Sequence, residues 1–188
     1  MNTATHLVVA AAALTRPRAR RANAAAVAGA LLPDAWIFAF YGWSRASGLS
    51  ERAIWRDTYW SEPWQTVGAV ANSAPLAALC LGAGLAMRRP WVAALALAWL
   101  SHLALDFPVH AEDAHRHFWP ISDWRFRAPF SYWDERHHAG VVRWVELALL
   151  AVGSVVLWRR FEGRGVRAAL GVGAAAFVAP YFWFALVL

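Results

Sequence analysis

Charge is scarce in this chain. Asp, Glu, Lys and Arg make up 16% of its 188 residues, against 60% hydrophobic; a soluble domain holds roughly 25% charged and 45–50% apolar residues. That imbalance, with a mean hydropathy of +0.35, excludes an ordinary soluble domain and points to an integral membrane protein. Cysteine is limited to Cys80, inside an apolar run, which excludes a disulfide framework and leaves a packed, inert thiol. The opening MNTATHLVVAAAAL has no basic n-region, and its arginines follow the apolar part, so the segment is expected to be retained rather than cleaved. There is no GxSxG, Walker loop, HExxH or CxxC, which removes the chemistries those motifs carry.

What is present is a series of apolar runs. They cover about 3–14, 24–43, 67–87, 91–109, 141–158 and 166–188. The first is short for a span, which needs about 20 residues. The second is interrupted by Pro33 and Asp34, where proline removes a donor and kinks a helix. These runs predict an all-α fold: a polytopic membrane helical bundle of about five to six helices, forming one domain over 1–188. Between them lie a Trp-rich loop at 44–66, with Trp55, Tyr59, Trp60 and Trp64, and a polar His/Asp/Trp-rich loop at 110–140. Interfacial anchoring accounts for the first of these.

The net charge is +6 and the isoelectric point about 10.6. The arginines sit in short loops and there is no lysine-rich tail, so membrane topology explains the basic balance and no nucleic-acid partner is expected. Four arginines lie at 16–21, two at 88–89 and four at 159–167. Those three loops are read as cytoplasmic, which turns 44–66 and 110–140 to the outer side. On that scheme the polar residues of the apolar runs, His6, Asn72, Ser73, His102, Asp106, His110 and Glu146, fall in the outer half, with Asp34 near mid-depth. A single polar cavity opening toward the outer face accounts for them.

The sharpest stretch is Ala98–Asp134. His102, Asp106 and His110 recur at four-residue steps, which on a helix places them on one face. Imidazole and carboxylate are the ligand pair of zinc, manganese and iron sites. An ionisable pair in an apolar segment is a functional-site signal; the alternative is a hydrogen-bonded pair that joins helices. His115 and His117 are either further ligands or solvated loop residues. Glu146, about a turn into the fifth run, is a candidate general base or a support for the site; the alternative is a partner for Arg143.

Four blocks resemble the inner-membrane metal-dependent hydrolase family also described as LexA-binding: Thr5-His6; Gly29 through Pro33-Asp34; His102-Leu-Ala-Leu-Asp106; and His117-Phe-Trp-Pro-Ile-Ser-Asp-Trp-Arg-Phe126. The resemblance implies a multi-pass protein of the bacterial inner membrane with His6, Asp34, His102 and Asp106 as ligands. The family shows Thr-His-Ser in the third run. Here it reads Ala71-Asn72-Ser73, and Asn72 offers an amide oxygen in place of an imidazole. A subgroup sharing the HFWPISDWRF-like and SYWD-like stretches carries a cobalamin-biosynthesis label in some members, but no residue here shows corrinoid chemistry.

The expectation is a membrane-bound hydrolase using a divalent ion (Zn, Mn or Fe) held by His6, Asp34, Asn72, His102, Asp106, His110 and His117, with Glu146 in a catalytic role. Its substrate would be a phosphoester or lipid-derived, amphipathic small molecule, and its surroundings the lipid bilayer. The competing expectations are a non-enzymatic protein binding an ion or headgroup in the cavity, and a purely structural bundle.

Overall fold

The computed structural model describes residues 1–187, with side chains described through residue 178. Among them the chain is all-helical, with 71% in helix and no strand. The elements run α1 (Thr3–Leu14), α2 (Arg20–Ala46), α3 (Glu51–Ala53) leading into a π turn (Ile54–Thr58), α4 (Glu62–Ala71), α5 (Ala74–Ala86), α6 (Pro90–Asp106), a 3-10 turn (Glu135–His137), α7 (Ala139–Arg160) and α8 (Arg164–Val187). Three stretches are long and apolar enough to cross a membrane: Arg20–Ala46, Glu62–Ala86 and Ala139–Arg160. Their outward faces carry apolar side chains, such as Leu79 at 70% and Val152 at 66% exposure, as a lipid-facing helix requires.

Several boundaries differ from the pattern of apolar runs. The third run is two helices, because Asn72 ends α4 and the Ser73 hydroxyl caps α5 by accepting from the Leu76 N–H at 3.1 Å. Pro33 does not break α2, which continues through it to Ala46. The fourth run stops at Asp106 rather than 109. Within 44–66 the aromatic side chains divide: Tyr59 is buried against Trp36 of α2 (ring centroids 5.7 Å) and Trp64 packs on Phe40 of α2 (5.1 Å), while Trp55 and Trp60 remain exposed.

The centre is α2 packed along α6, with α5 on α6, and α1 between α2, α6 and α7. Small residues permit this closeness. A Cβ at Gly29 would lie 2.0 Å from the Leu95 carbonyl oxygen of α6, so only glycine fits at that crossing. Ala10, Ala26, Ala30 and Ala98 form a buried seam beside it.

Two helices are short, and both end at one place. At 1.5 Å per residue, 12-residue α1 is about 18 Å long and 17-residue α6 about 25 Å, less than a hydrocarbon core of about 30 Å. The N-terminal end of α1 and the C-terminal end of α6 meet where Met1 and His6 face Asp106. The opposite ends gather arginine. Arg160 donates to the Ala12 and Thr15 carbonyls at the end of α1, both at 2.7 Å, and Arg21 lies 4.5 Å over the Trp91 ring at the start of α6. The turns at 16–21, 88–91 and 159–167 therefore share one end of the bundle.

The segment 107–134 that follows α6 is irregular, and backbone bonds hold it onto the helix ends. Ala128 N–H donates to the His110 carbonyl at 2.9 Å, Tyr132 N–H to Val109 at 3.1 Å, and Ala74 N–H to His117 at 2.8 Å. Arg125 donates to the Ala114 carbonyl (2.7 Å) and Gln65 Oε1 (2.9 Å), and Arg116 bridges Glu62 and Asp123.

Candidate metal centre

The site begins at Asp106, the last residue of α6, whose carboxylate is buried. Helical spacing puts His102 a turn earlier on the same face, and its Nε2 lies 3.0 Å from Asp106 Oδ2. The other ring nitrogen, Nδ1, is 2.7 Å from the Ala30 carbonyl of α2. A carbonyl oxygen only accepts, so this partner assigns the proton to Nδ1. That leaves Nε2 facing Asp106 and, at 3.5 Å, Asp34 Oδ1. With Nδ1 held by backbone, Nε2 donates its N–H to these carboxylates, and loss of that proton would free its lone pair for an ion shared with them, as in a metal-binding histidine whose other nitrogen is held by backbone.

His6 arrives from α1 and stacks on His102, with ring centroids 3.5 Å apart and planes 5° from parallel. Its Nε2 is 2.9 Å from Asp106 Oδ1. Its Nδ1 is buried without a hydrogen-bond partner. One ligand atom each from His6, His102 and Asp106 lies within 4.8 Å of the others. Asp34 is held in place by Thr3, whose hydroxyl donates to Oδ2 at 2.5 Å, and keeps Oδ1 for the His102 side. The Met1 nitrogen donates to Asp106 Oδ1.

This donor set fits a divalent ion on two grounds. It combines two imidazole nitrogens with carboxylate oxygens, the ligands zinc, manganese and iron share. One ligand atom each from His6, His102 and Asp106 also lies within 4.8 Å of the others; the 2.9 and 3.0 Å separations from Asp106 are hydrogen-bond distances that a shared tetrahedral ion with bonds of about 2.1 Å would widen to roughly 3.4 Å.

The remaining residues singled out in the sequence take these places. His110 Nε2 is 3.4 Å from Asp106 Oδ1, and its Nδ1 is 3.0 Å from Asp113 Oδ2. His117 donates from Nδ1 to the Asn72 carbonyl at 3.2 Å, and the Asn72 side chain donates to the Gly68 carbonyl at 3.0 Å; both are buried. Glu146 is fully buried beneath the first turn of α1. Its carboxylate accepts from the Asn2 backbone N–H at 2.5 Å and from the Asn2 side chain at 2.8 Å, a favourable position for an anion at a helix N-terminus. Arg143 donates to Glu135 at 2.8 Å.

A cavity of about 200 Å³ lies beside this centre, walled by Asp34, His110, Asp113 and His115 on its polar side and by Trp36 and Phe38 among its apolar residues; His6, His102 and Asp106 lie behind that wall and do not line it. In the segment after α6, burial pulls the His110 imidazole down, but Asp106 and Asp113 outweigh it and raise it to about 9. Burial pushes the Asp113 carboxyl up, and His110 and Trp133 bring it down to about 2. Burial and then neighbouring His110 depress His115 to about 3. Burial and then Asp113 push the Tyr59 hydroxyl up to about 12.

Several contributors carried no sequence signal of their own. Asn2, Thr3 and the Ala30 carbonyl orient ligands from positions that are unremarkable in sequence. Asp113 and Tyr132, which also line the cavity, read as ordinary loop residues. No family model, curated protein or solved structure matches the chain.

Proposed function

We propose that this chain is a membrane-bound, metal-dependent hydrolase acting on an amphipathic, lipid-derived substrate or phosphoester. The observation that carries this reading is the orientation of His102. Its Nδ1 is committed to a backbone carbonyl, so its Nε2 turns to the Asp106 carboxylate that His6 also meets, with Asp34 3.5 Å from Nε2 as a further carboxylate. A structural pair joining helices needs neither the second histidine stacked on the first nor the second carboxylate. The ligand set is also the one that the family resemblance implies.

In this reading His6, His102, Asp106 and Asp34 hold one divalent ion. Such an ion lowers the pKa of a water molecule and draws charge from a carbonyl or phosphoryl oxygen. Thr3 and the Ala30 carbonyl fix the ligands that contact them. On the cavity wall beside the cluster, His110 is paired with Asp113 at 3.0 Å and is held protonated, so it would serve as a hydrogen-bond donor or general acid toward an anionic substrate oxygen. Glu146 acts through Asn2, seating the first turn of α1 so that His6 meets Asp106. Trp36 and Phe38 provide the apolar wall; Phe38 is 58% exposed on α2, where the aliphatic part of a bilayer-borne substrate would lie.

The same reading gives the chain six passes in a bacterial inner membrane, with α1 and α6 as short helices that meet at the site. The arginine-rich end faces the cytoplasm and the 110–140 loop faces outward. The short helices and irregular 107–134 segment suit this placement, because non-helical backbone at membrane depth is tolerated where it is packed in protein or lines a cavity.

The test is turnover by protein in detergent or nanodiscs, stripped and then reloaded with Zn²⁺, Mn²⁺ or Fe²⁺, on long-chain esters and lipid phosphoesters. Metal-dependent hydrolysis abolished by Asp106→Ala is expected. Stoichiometric metal with no turnover on any substrate would favour a non-enzymatic ion-binding protein instead.

A further inference from the structure

Away from the metal centre, α7 and α8 diverge enough to leave a groove between them. It is a shallow, open trough of about 370 Å³, lined by Ser154, Val155 and Trp158 of α7 and by Arg167, Leu170, Gly171 and Ala174 of α8. Its floor is open: a Cβ built at Gly171 would meet nothing within 4 Å. Its walls are apolar apart from the Ser154 hydroxyl and one end, where the Arg167 guanidinium lies 4.2 Å from the centre of the Trp158 ring. Trp158 is half exposed.

That end carries an excess of positive charge, four arginines against Glu162 in the turn 159–167. Arg159, Arg164 and Arg167 are exposed there, and among the described residues none of them forms an ion pair with a carboxylate. The first turn of α8 contains no acidic residue, although a helix N-terminus favours an anion. Arginines in the first turn add to the helix dipole instead of offsetting it. Arg160, in contrast, is used internally by the end of α1. The groove thus presents a cationic, anion-seeking mouth above an apolar trough, on the flank of a helix long and apolar enough to cross a membrane.

We infer that this groove binds a membrane phospholipid with an anionic headgroup. Its phosphate would sit at Arg164, Arg167 and the N-terminus of α8, and one acyl chain would run along Trp158, Leu170 and Gly171. Arg167 is already stacked on Trp158, an arrangement that holds the guanidinium flat and leaves its edge for a phosphate oxygen. Basic pockets between transmembrane helices recognise anionic headgroups in this way. A zwitterionic lipid has the same chains but adds a cation, which the three arginines disfavour. This site is independent of the metal centre and of any turnover there.

The experiment reconstitutes the full chain in nanodiscs containing equal phosphatidylglycerol and phosphatidylcholine, extracts it in mild detergent, and counts retained lipid by native mass spectrometry. The wild type should retain about one phosphatidylglycerol, with at least a tenfold preference over phosphatidylcholine. Arg164→Gln with Arg167→Gln should remove the preference, and Gly171→Leu, which fills the trough, should lower retention of phosphatidylglycerol severalfold. Salt offers a second measurement that needs no variant: raising it from about 0.05 M to about 0.5 M should weaken the preference severalfold through screening. Equal retention of the two lipids by the wild type would mean adventitious annular lipid only and would overturn the inference. A preference that survives both the double substitution and high salt would overturn it as well.

Discussion

His102 and Ala30 are joined by a hydrogen bond of 2.7 Å that runs from an imidazole Nδ1–H on α6 to a backbone carbonyl on α2. Since this contact orients the His102 ring, His102→Gln should lose metal binding at least 100-fold while the protein still inserts and purifies. Metal titration followed by Co²⁺ absorption checks this; an unchanged affinity would remove His102 from the ligand set.

Glu146 and Asn2 form the second relationship to test. If Glu146 only seats α1, then Glu146→Gln, which keeps an oxygen for Asn2, should retain most of the metal affinity and most of any turnover. Glu146→Ala should weaken metal binding roughly 10–100-fold, the range for residues that support metal ligands. A Glu146→Gln protein that binds metal normally but has lost turnover would instead make Glu146 a general base.

Thr3 donates to Asp34 Oδ2 at 2.5 Å. Thr3→Val keeps the shape and removes the donor, so it should reduce metal affinity roughly tenfold with little change in thermal stability. Isothermal titration beside a melting curve separates the two effects. A large loss of stability with unchanged metal affinity would show that Thr3 serves packing rather than the site.

Gly29 sits where α2 and α6 touch. Gly29→Ala places a methyl group against the Leu95 carbonyl, so the helices must separate. The expected cost is about 1–3 kcal/mol, seen as a lower melting temperature. Because His102 contacts α2 at Ala30, one residue on, metal affinity should fall as well. Full stability in this variant would mean that the helices are not in close contact there.

Cysteine labelling in intact cells tests the topology. With Cys80 replaced by Ala, single cysteines at Arg88 and Glu112 should be labelled from opposite sides of the membrane. Labelling of both from one side would contradict the six-pass arrangement.

The parts of the site that the sequence made legible are those set by local periodicity or by cost. His102 and Asp106 are a turn apart, so any helix there puts them together. Asp34 was conspicuous because an ionised group in an apolar run is expensive. The split between α4 and α5 had a readable signal as well: Ser73 followed by Pro75 is a helix start, overridden in the apolar pattern by uniform hydrophobicity on either side. What could not be read were pairings far apart in the chain. Asn2 with Glu146, Ala128 with His110 and Tyr132 with Val109 are single hydrogen bonds with no period, and they decide where α1 begins and how the segment after α6 folds onto it. The cavity wall was hidden for the same reason, since Asp113 and Tyr132 reach it only through those anchors.

The central claim is that His6, Asp34, His102 and Asp106 hold a metal ion, and metal content tests it most directly. Detergent-purified wild-type protein, saturated with Zn²⁺, Mn²⁺ or Fe²⁺ and passed through a desalting column, is analysed by inductively coupled plasma mass spectrometry beside Asp106→Ala. The expected result is about one ion per chain in the wild type and none in the variant, with both proteins folded by circular dichroism. Wild-type protein that retains no ion, or a variant that retains as much as the wild type, would contradict it.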